Sequence, residues 1–348
     1  MAAKLWRGGM VGAGVWSENQ LNAWAQVSNA EIVALCDRDT ARLGHRSGQF
    51  NIEQTFSSVE SMLDEMELDF VDLCVRPASH APLTRLVAER GLPVLCQKPF
   101  CTSLDEAKET VAFCEQAGVR LMINENFRWQ PWYRQVKTLL DDGAIGDPFY
   151  AQIRWRMRMS LPKFHHEQTY FAEMPRLAVY ELGVHYLDVY RFLFGEPDTL
   201  YARLQRISPD VVGEDVQNVM LGYDERNLTC HILHSWASVP IPDHDTVPGA
   251  HPWAVAHPFI IEGTDGTLYL EPDRSLHLYT DNDHQSWEFA PETRHEGRAG
   301  ALQHFINCLD SGAEFETSGA DTLKTMALVY ACYESSEKKQ VIRPQELL

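Results

Sequence analysis

A chain of 348 residues exceeds what one hydrophobic core usually organises, so two domains are expected. With 45% hydrophobic and 23% charged residues, the composition is that of a soluble globular protein, and no apolar run is long enough to span a bilayer. The formal charge of −19 repels phosphate backbones and anionic lipid, and no basic stripe offsets it, which argues against nucleic acid and membrane partners.

The first residues, Met1 to Gly8, run straight into an apolar strand without the apolar core and cleavage site of a signal peptide, so a cytoplasmic location is expected. The eight cysteines include no C-x-x-C pair and sit mostly in apolar stretches, which points to buried, reduced thiols.

From Lys4 to Ile123, short apolar runs alternate with segments of helical period, the pattern of a parallel sheet covered by helices. Strands are expected at Leu5 to Val11, Glu31 to Cys36, Phe70 to Val75, Val94 to Cys96 and Val119 to Ile123. Val59, Met62, Leu63 and Met66 form one helical stripe, Leu83, Leu86 and Val87 a second, and Leu104, Ala107, Val111 and Cys114 a third. Ser103 and Glu106 have the spacing of a capping box at the start of that third helix, and Gly118 ends it.

After about residue 125, strands follow one another with the period of an antiparallel sheet covered on one face. Ile153, Trp155 and Met157 alternate with Arg154 and Arg156. Further strands are expected at Leu200 to Leu204, Val216 to Tyr223, Leu228 to Trp236, Phe259 to Glu262 and Thr267 to Glu271, with a tight turn at Asp265-Gly266. Helices are expected from Leu177 to Phe194, stopping at Gly195, and at Ala301 to Leu309 and Ala320 to Glu337; Val239 to Pro258 reads as an irregular loop. The division is residues 1–124 and 125–348, with the last helix a candidate to pack back on the first domain.

The first strand ends in Gly12-Ala13-Gly14-Val15-Trp16-Ser17, a G-x-G-x-x-S turn into a helix. Gly12 permits the tight turn, and Gly14 lets backbone approach a pyrophosphate at the positive helix N-terminus; Ser17 replaces the third glycine. The second strand ends at Asp37, about 20 residues on, where a carboxylate can accept hydrogen bonds from ribose hydroxyls and so favours NAD. Arg38 beside it is suited to adenine stacking or to a 2′-phosphate, which keeps NADP open.

After the fourth strand, Cys96-Gln97-Lys98-Pro99 puts an amine at the carboxyl edge of the sheet, where open α/β sheets bind ligands, and the peptide before Pro99 is a candidate for the cis form. Oxidising a carbinol requires a base for the hydroxyl proton, and lysine serves where its surroundings favour the neutral amine. Glu181 and His185 stand at i and i+4 on a helix of apolar period, so the carboxylate can orient or charge the imidazole, and Gly183 leaves room beside them.

Gly12-Ala13-Gly14, Cys36-Asp37-Arg38-Asp39, Pro77-Ala78-Ser79-His80, Gln97-Lys98-Pro99, Asn126-Phe127-Arg128 and Glu181 to His185, with Asp321 to Ser336 at the end, occur in family order. In this the chain resembles the glucose-fructose oxidoreductase and inositol dehydrogenase family over nearly its whole length. The resemblance implies an α/β Rossmann dinucleotide-binding domain followed by an α+β domain whose open, mainly antiparallel sheet mediates homodimer or homotetramer formation. It also implies hydride transfer from a sugar, cyclitol or related polyol to NAD or NADP.

Lys98 matches the lysine of the family's E-K-P motif, and His185 the histidine of its D-x-x-x-H motif, with Glu181 orienting it. Cofactor contacts are expected at Gly12, Ala13, Gly14, Val15 and Trp16, at Asp37 and Arg38, at Arg76, Pro77 and His80, and at Gln97 with Lys98. Substrate contacts are expected at Asn126, Arg128, Trp129, Arg156 and His185, and no metal is expected. Two departures stand out: Gln97 replaces glutamate, and Glu181 replaces aspartate, which changes the reach toward substrate. Q-K-P with Asn-Phe-Arg-Trp resembles aldose dehydrogenases of the D-apiose type.

Two other readings remain open on the residues alone. One is a metal-dependent hydrolase or lyase using Glu181, His185 and other histidines, although His231 and His234 lie at i and i+3 of an expected strand and so on opposite faces. The other is a catalytically silent dinucleotide-binding protein that kept the fold.

Overall fold

A computed structural model describes residues 4–156, 158, 169–239, 259–272, 274–290 and 293–348. The chain divides into two compact units, the first comprising residues 1–126 and 295–323 and the second residues 127–294 and 324–348. The return of residues 295–323 to the first unit has visible causes. Phe305 packs edge-on against Phe70 at 5.4 Å, Asp310 accepts from the Trp6 indole at 2.7 Å, and the Thr317 carbonyl accepts from the Ile123 amide at 2.8 Å.

In the first unit the elements run β1 (Trp6–Val11), α1 (Val15–Trp24), β2 (Ala30–Cys36), α2 (Thr40–Phe50), β3 (Gln54–Phe56), α3 (Val59–Glu65), β4 (Phe70–Leu73), α4 (His80–Ala88), β5 (Val94–Gln97), α5 (Leu104–Gln116) and β6 (Leu121–Asn124). The six strands are parallel in the order β3-β2-β1-β4-β5-β6. Met10, Leu35, Leu73 and Leu95 are fully buried, as expected where helices cover both faces. The order reverses between β1 and β4, and the crevice at that switch point is where such sheets bind ligands.

Each expected strand of this unit is present, and so are the helical stripes except that α3 ends at Glu65 and leaves Met66 in extended backbone; α2 and β3 were not foreseen, because Thr40–Phe50 is rich in polar residues and glycine and β3 is only three residues long. The start of α5 differs in one detail from a capping box. Ser103 Oγ accepts from the Glu106 amide at 3.1 Å, but the Glu106 carboxylate reaches the Thr102 amide (2.8 Å) and hydroxyl (2.7 Å).

The second unit begins with α6 (Pro131–Asp141) and β7 (Pro148–Arg156), followed by α7 (Val184–Phe194) and strands β8 (Thr199–Gln205), β9 (Val216–Tyr223), β10 (Leu228–Ser235), β11 (Phe259–Gly263), β12 (Gly266–Leu270), β13 (Leu276–Thr280) and β14 (His284–Trp287). α8 (Thr293–Ser311) then belongs to the first unit from residue 295, and α9 (Gly319–Lys338) is divided between the two at residue 323. The eight strands form one sheet in the order β14-β13-β12-β11-β7-β10-β9-β8, with β7 and β10 parallel and every other neighbouring pair antiparallel.

Alternation governs that sheet. Ala151, Ile153 and Trp155 are buried, and so are Cys230, Ile232 and His234 on the neighbouring strand, while Gln152, Arg154, His231 and Leu233 lie on the less buried face. His231 and His234 therefore do point to opposite faces. Met157 and most of the expected 239–258 loop lie outside the described residues. Among the described residues, no helix is long and apolar enough to cross a membrane. All eight cysteines are buried and free of disulfides.

Candidate active site

The glycine turn has the geometry a dinucleotide requires. Gly12 sits at φ +107°, and a Cβ there would stand 2.2 Å from the Cys74 carbonyl oxygen, so no other residue fits at the β1/β4 switch point. Gly14 is the N-cap of α1; having no side chain, it leaves the first amides of the helix uncapped by it, and a Cβ added to it would meet nothing within 4 Å. Backbone donors at a positive helix end with that much room fit a pyrophosphate. Ser17, in the third-glycine position, is fully buried and donates to the Gly14 carbonyl at 2.5 Å, so it closes the turn itself.

Asp37 is held against this turn. One carboxylate oxygen accepts from the Ala13 amide at 2.7 Å and the other from the Asp39 amide at 2.8 Å. Each oxygen keeps a further lone-pair direction, so the group still suits two ribose hydroxyls. Arg38 is exposed.

Two cations at the turn carry no motif of their own. Arg46 of α2 is buried, donating to Glu18 (2.8 Å), Gln49 (2.5 Å) and the Gly14 carbonyl (3.3 Å). Arg298 of α8 lies 5.0 Å over the Trp16 ring and donates to Asn19 at 2.9 Å; burial pulls its pKa down to about 10, which leaves it cationic at neutral pH.

Next along the sheet edge, Arg76 is exposed and Pro77 opens a short 3-10 turn, Pro77–Ser79. His80 corrects an expectation. It is fully buried, with Nδ1 3.0 and 2.9 Å from the carbonyl oxygens of Pro99 and Phe100 and Nε2 3.0 Å from that of Val75. Burial pulls the imidazole pKa down while the three carbonyls pull it back. Its side chain braces the chain on either side of the β4 crevice, its ring nitrogens taken up by backbone carbonyls.

Lys98 follows β5, and its bond to Pro99 is cis. Gln97 is also a correction, because its side chain turns inward. Its Nε2 donates to Gln20 Oε1 at 3.1 Å, and its Oε1 accepts from the Lys98 amide at 3.2 Å. Gln20 in turn donates to Asp72 at 2.6 Å, beside the Trp24 indole at 2.7 Å, and Asn124 donates to Gln20 at 3.1 Å. Asp72 is 0% exposed and, among the described residues, bonded to no cation; burial raises its pKa to about 6. A charged residue inside Phe-Val-Asp-Leu, a strand buried on both faces, was the signal for this cluster that sequence reading passed over.

In the second unit, the helix expected over 177–194 is interrupted. Val179–Gly183 forms a π turn before α7, so Glu181 lies in the π turn and His185 in the first α turn. Such turns recur at functional sites. The Glu214 carboxylate sits at its start, accepting from the amides of Leu177 (3.2 Å) and Val179 (3.0 Å) and from the Tyr333 hydroxyl (2.7 Å). The room beside Gly183 is taken by Gln217, whose Oε1 would stand 2.6 Å from a Cβ there. The Gln217 amide is 2.7 Å from Nδ1 of His234, a histidine whose pKa burial lowers to about 3.

His185 is buried and stacks on Phe127, with centroids 3.8 Å apart and planes within 4°. Arg128, expected to bind substrate, is instead committed to structure. Its Nε and Nη2 grip the two oxygens of Asp188 at 2.8 and 2.6 Å, with both side chains buried. Thr325 donates to Asp188 at 3.1 Å and accepts from Arg191 at 2.7 Å, so the network holds the Phe127–Trp129 turn to α7 and α9. Trp129 is half-buried beneath the Arg134 guanidinium at 5.0 Å, Asn126 is buried, and exposed Arg156 donates to Ser238 at 2.9 Å. Among the described residues, no three His, Cys, Asp or Glu side chains are disposed to hold a metal ion.

Comparison with known proteins agrees with this geometry. Residues 6–125 match the family model described as an oxidoreductase family with an NAD-binding Rossmann fold, and residues 133–269 match the GFO/IDH/MocA C-terminal domain. A D-apiose dehydrogenase from Paraburkholderia graminis is 36% identical over 99% of this chain and 91% of its own length; one from Rhizobium rhizogenes is 36% identical over 97% and 96%. The crystal structure of an oxidoreductase from Agrobacterium radiobacter, in complex with NAD+, L-tartaric acid and magnesium, superposes with a TM-score of 0.90 at 35% identity, covering 99% of this chain and 100% of that one. The chain belongs to the GFO/IDH/MocA family and is an NAD(P)-dependent oxidoreductase.

Proposed function

We propose that the substrate is a small sugar, oxidised at its anomeric carbon or at a ring carbinol with NAD as acceptor, and that D-apiose is the first candidate. The observation that carries this reading is the likeness to two D-apiose dehydrogenases across nearly the full length of both chains. The Gly12 turn, with Asp37 held against it, supports NAD over NADP, since a carboxylate at that place repels a 2′-phosphate.

When bound, the nicotinamide supplies the hydride acceptor. Lys98 takes up the hydroxyl proton as the carbon–hydrogen bond breaks, so that a carbonyl, or a lactone from C1, is formed. His185 holds the same hydroxyl and Glu181 orients it, while Asn126, Trp129 and Arg156 contact the remaining hydroxyls. Asn126 and His185 are buried, which suits groups that bind a desolvated substrate.

A screen of aldoses, inositols and sugar acids with both nicotinamides, read by the absorbance of the reduced cofactor, tests the reading. We expect turnover with D-apiose or a related aldose and with NAD, and a loss of about 10²–10⁴-fold in Lys98→Ala. Near wild-type turnover in that variant overturns the assignment of the base.

The same reading extends to assembly and location. Met220 and Tyr279, 41% and 44% exposed, lie on the less buried face of the eight-stranded sheet, and a homodimer or homotetramer forming through that face in the cytoplasm covers them. Light scattering of wild type and Met220→Lys checks it, with a shift to smaller species expected.

A further inference from the structure

We infer that Arg298 is a cofactor-binding residue, a cation that α8 brings to the start of α1 to meet the pyrophosphate of the dinucleotide. It stands 279 residues from Asn19, its partner on α1, in the part of α8 that belongs to the first unit. Nothing in the glycine motif calls for it.

Two contacts fix where this charge stands. Trp16 is the second residue of α1 and Asn19 the fifth, so their side chains leave the helix start from one face, three residues apart. Arg298 joins them, with its guanidinium carbon 5.0 Å from the Trp16 ring centroid and Nη1 donating to Asn19 Oδ1 at 2.9 Å. Trp16 is a firm platform, because its ring packs on the buried cluster that includes Met10, Leu21, Leu35 and Cys74. The guanidinium is therefore held against the flank of the turn whose amides, with open space beside Gly14, fit a pyrophosphate.

The electrostatics of the turn call for such a cation. Asp37, bonded to the Ala13 amide, brings one negative charge, while Glu18 and Arg46 are paired at 2.8 Å and cancel. The dipole of α1 supplies only about half a positive charge. A pyrophosphate is doubly negative, so these groups by themselves oppose it. Arg298 offsets Asp37 beside the place the anion takes. It is half-buried, and although burial pulls its pKa down to about 10, it stays charged at neutral pH. A guanidinium also presents its N–H donors in a planar fork suited to phosphate oxygens.

Binding alone tests this, whichever sugar is oxidised. Wild type, R298Q, R298K and N19A are titrated calorimetrically with NADH and with ADP-ribose, which keeps the pyrophosphate and lacks the nicotinamide. The titrations are run at about 0.05 M and about 0.5 M salt, and the melting temperature of each ligand-free protein is recorded. R298Q keeps a donor for Asn19 and loses the charge. It is expected to melt with wild type and to bind both ligands about 10–100-fold more weakly at low salt. R298K keeps the charge and should bind both about threefold or more tightly than R298Q. The gap between wild type and R298Q should narrow at high salt, as an ionic contact does and a packing defect does not. N19A leaves the charge but removes its tether, and should weaken both ligands by about two- to fivefold; it decides the matter if R298Q does not fold.

Wild-type affinity for ADP-ribose in R298Q overturns the inference, and so does wild-type affinity in N19A where R298Q does not fold. A loss confined to NADH overturns it too, because that places the residue at the nicotinamide. A loss shared equally by R298Q and R298K and indifferent to salt makes Arg298 a strap between α8 and α1 and nothing more. A sugar screen that finds no substrate changes none of these outcomes and counts against the proposed reaction alone.

Discussion

The two units each bury a carboxylate almost completely, and they do so in opposite ways. Asp188, 1% exposed, is gripped by both arms of the Arg128 guanidinium, with Arg191 3.9 Å away and a threonine hydroxyl in addition. Among the described residues, Asp72, 0% exposed, meets only neutral donors, an indole and an amide, and one of its oxygens has no partner. The first arrangement neutralises its charge on the spot and acts as a clamp, fixing the turn that stacks Phe127 on His185. The second leaves a charge uncompensated, with one oxygen shared by the Gln20 amide and the Trp24 indole.

Breaking the clamp should give the largest effect. Arg128→Met leaves Asp188 buried without its bidentate partner and should cost about 3–5 kcal/mol in urea unfolding. Arg128→Met with Asp188→Leu should recover much of it, because paired apolar groups of similar size bury without a desolvation penalty. If the double variant is as unstable as the single one, the pair is contributing specific geometry beyond charge neutralisation.

Asp72 should respond with the opposite sign. Its folded pKa is raised from 3.8 to about 6, so the native state holds the proton more tightly than the unfolded chain does. The wild type is therefore penalised as pH rises from about 4 through 6, by about 3 kcal/mol in all once both states are ionised. D72N removes that term. The stability difference between D72N and wild type should move in favour of the variant by that amount between acid and neutral pH and stay flat above. Urea midpoints across the range measure it, and a flat difference throughout would mean that Asp72 keeps an ordinary acidity when folded.

The comparison also explains what could be read in the sequence. The Rossmann strands, the glycine turn and Asp37 are legible because backbone geometry demands particular residues at particular spacings: Gly12 is required by a carbonyl 2.2 Å from where its Cβ would be. Lys98, Glu181 and His185 were singled out by motif order, which is why their roles stand as proposals. The buried polar networks were not legible. Arg128 and Asp188 are 60 residues apart and Gln20 and Asp72 52, so their pairing is set by topology, and an arginine after Asn-Phe looks the same whether it faces a sugar or a carboxylate. The inward turn of His80 and Gln97 was hidden for the same reason: both side chains are buried against partners distant in sequence. The π turn is invisible too, since the amides of Leu177 and Val179 at its start are satisfied by Glu214, more than 30 residues away.

A smaller effect is expected at Gly183, where the second unit's polar interior meets the His185 helix. Gly183→Ala places a methyl group against the Gln217 amide at 2.6 Å, and Gln217 is itself buried and tied to His234. Overpacking of this kind should cost about 1–3 kcal/mol and lower turnover through displacement of Glu181 and His185. Unfolding and kinetics on the same preparation separate the two.

The smallest effect belongs at the start of α5, and it isolates burial as the variable. Glu106, like Asp72, meets only neutral donors, here the amide and hydroxyl of Thr102, but it is half-buried and within reach of water. Glu106→Gln should change stability by no more than about 0.5 kcal/mol, since solvent replaces what the protein ceases to provide. Ser103→Ala, which strips the cap from the Glu106 amide, should cost about 1 kcal/mol. If Glu106→Gln instead matched D72N in size, neutral donors rather than exclusion of water would be what sets Asp72 apart from Asp188. A small effect at Glu106 beside a large one at Asp72 assigns the difference to the dry interior under Lys98.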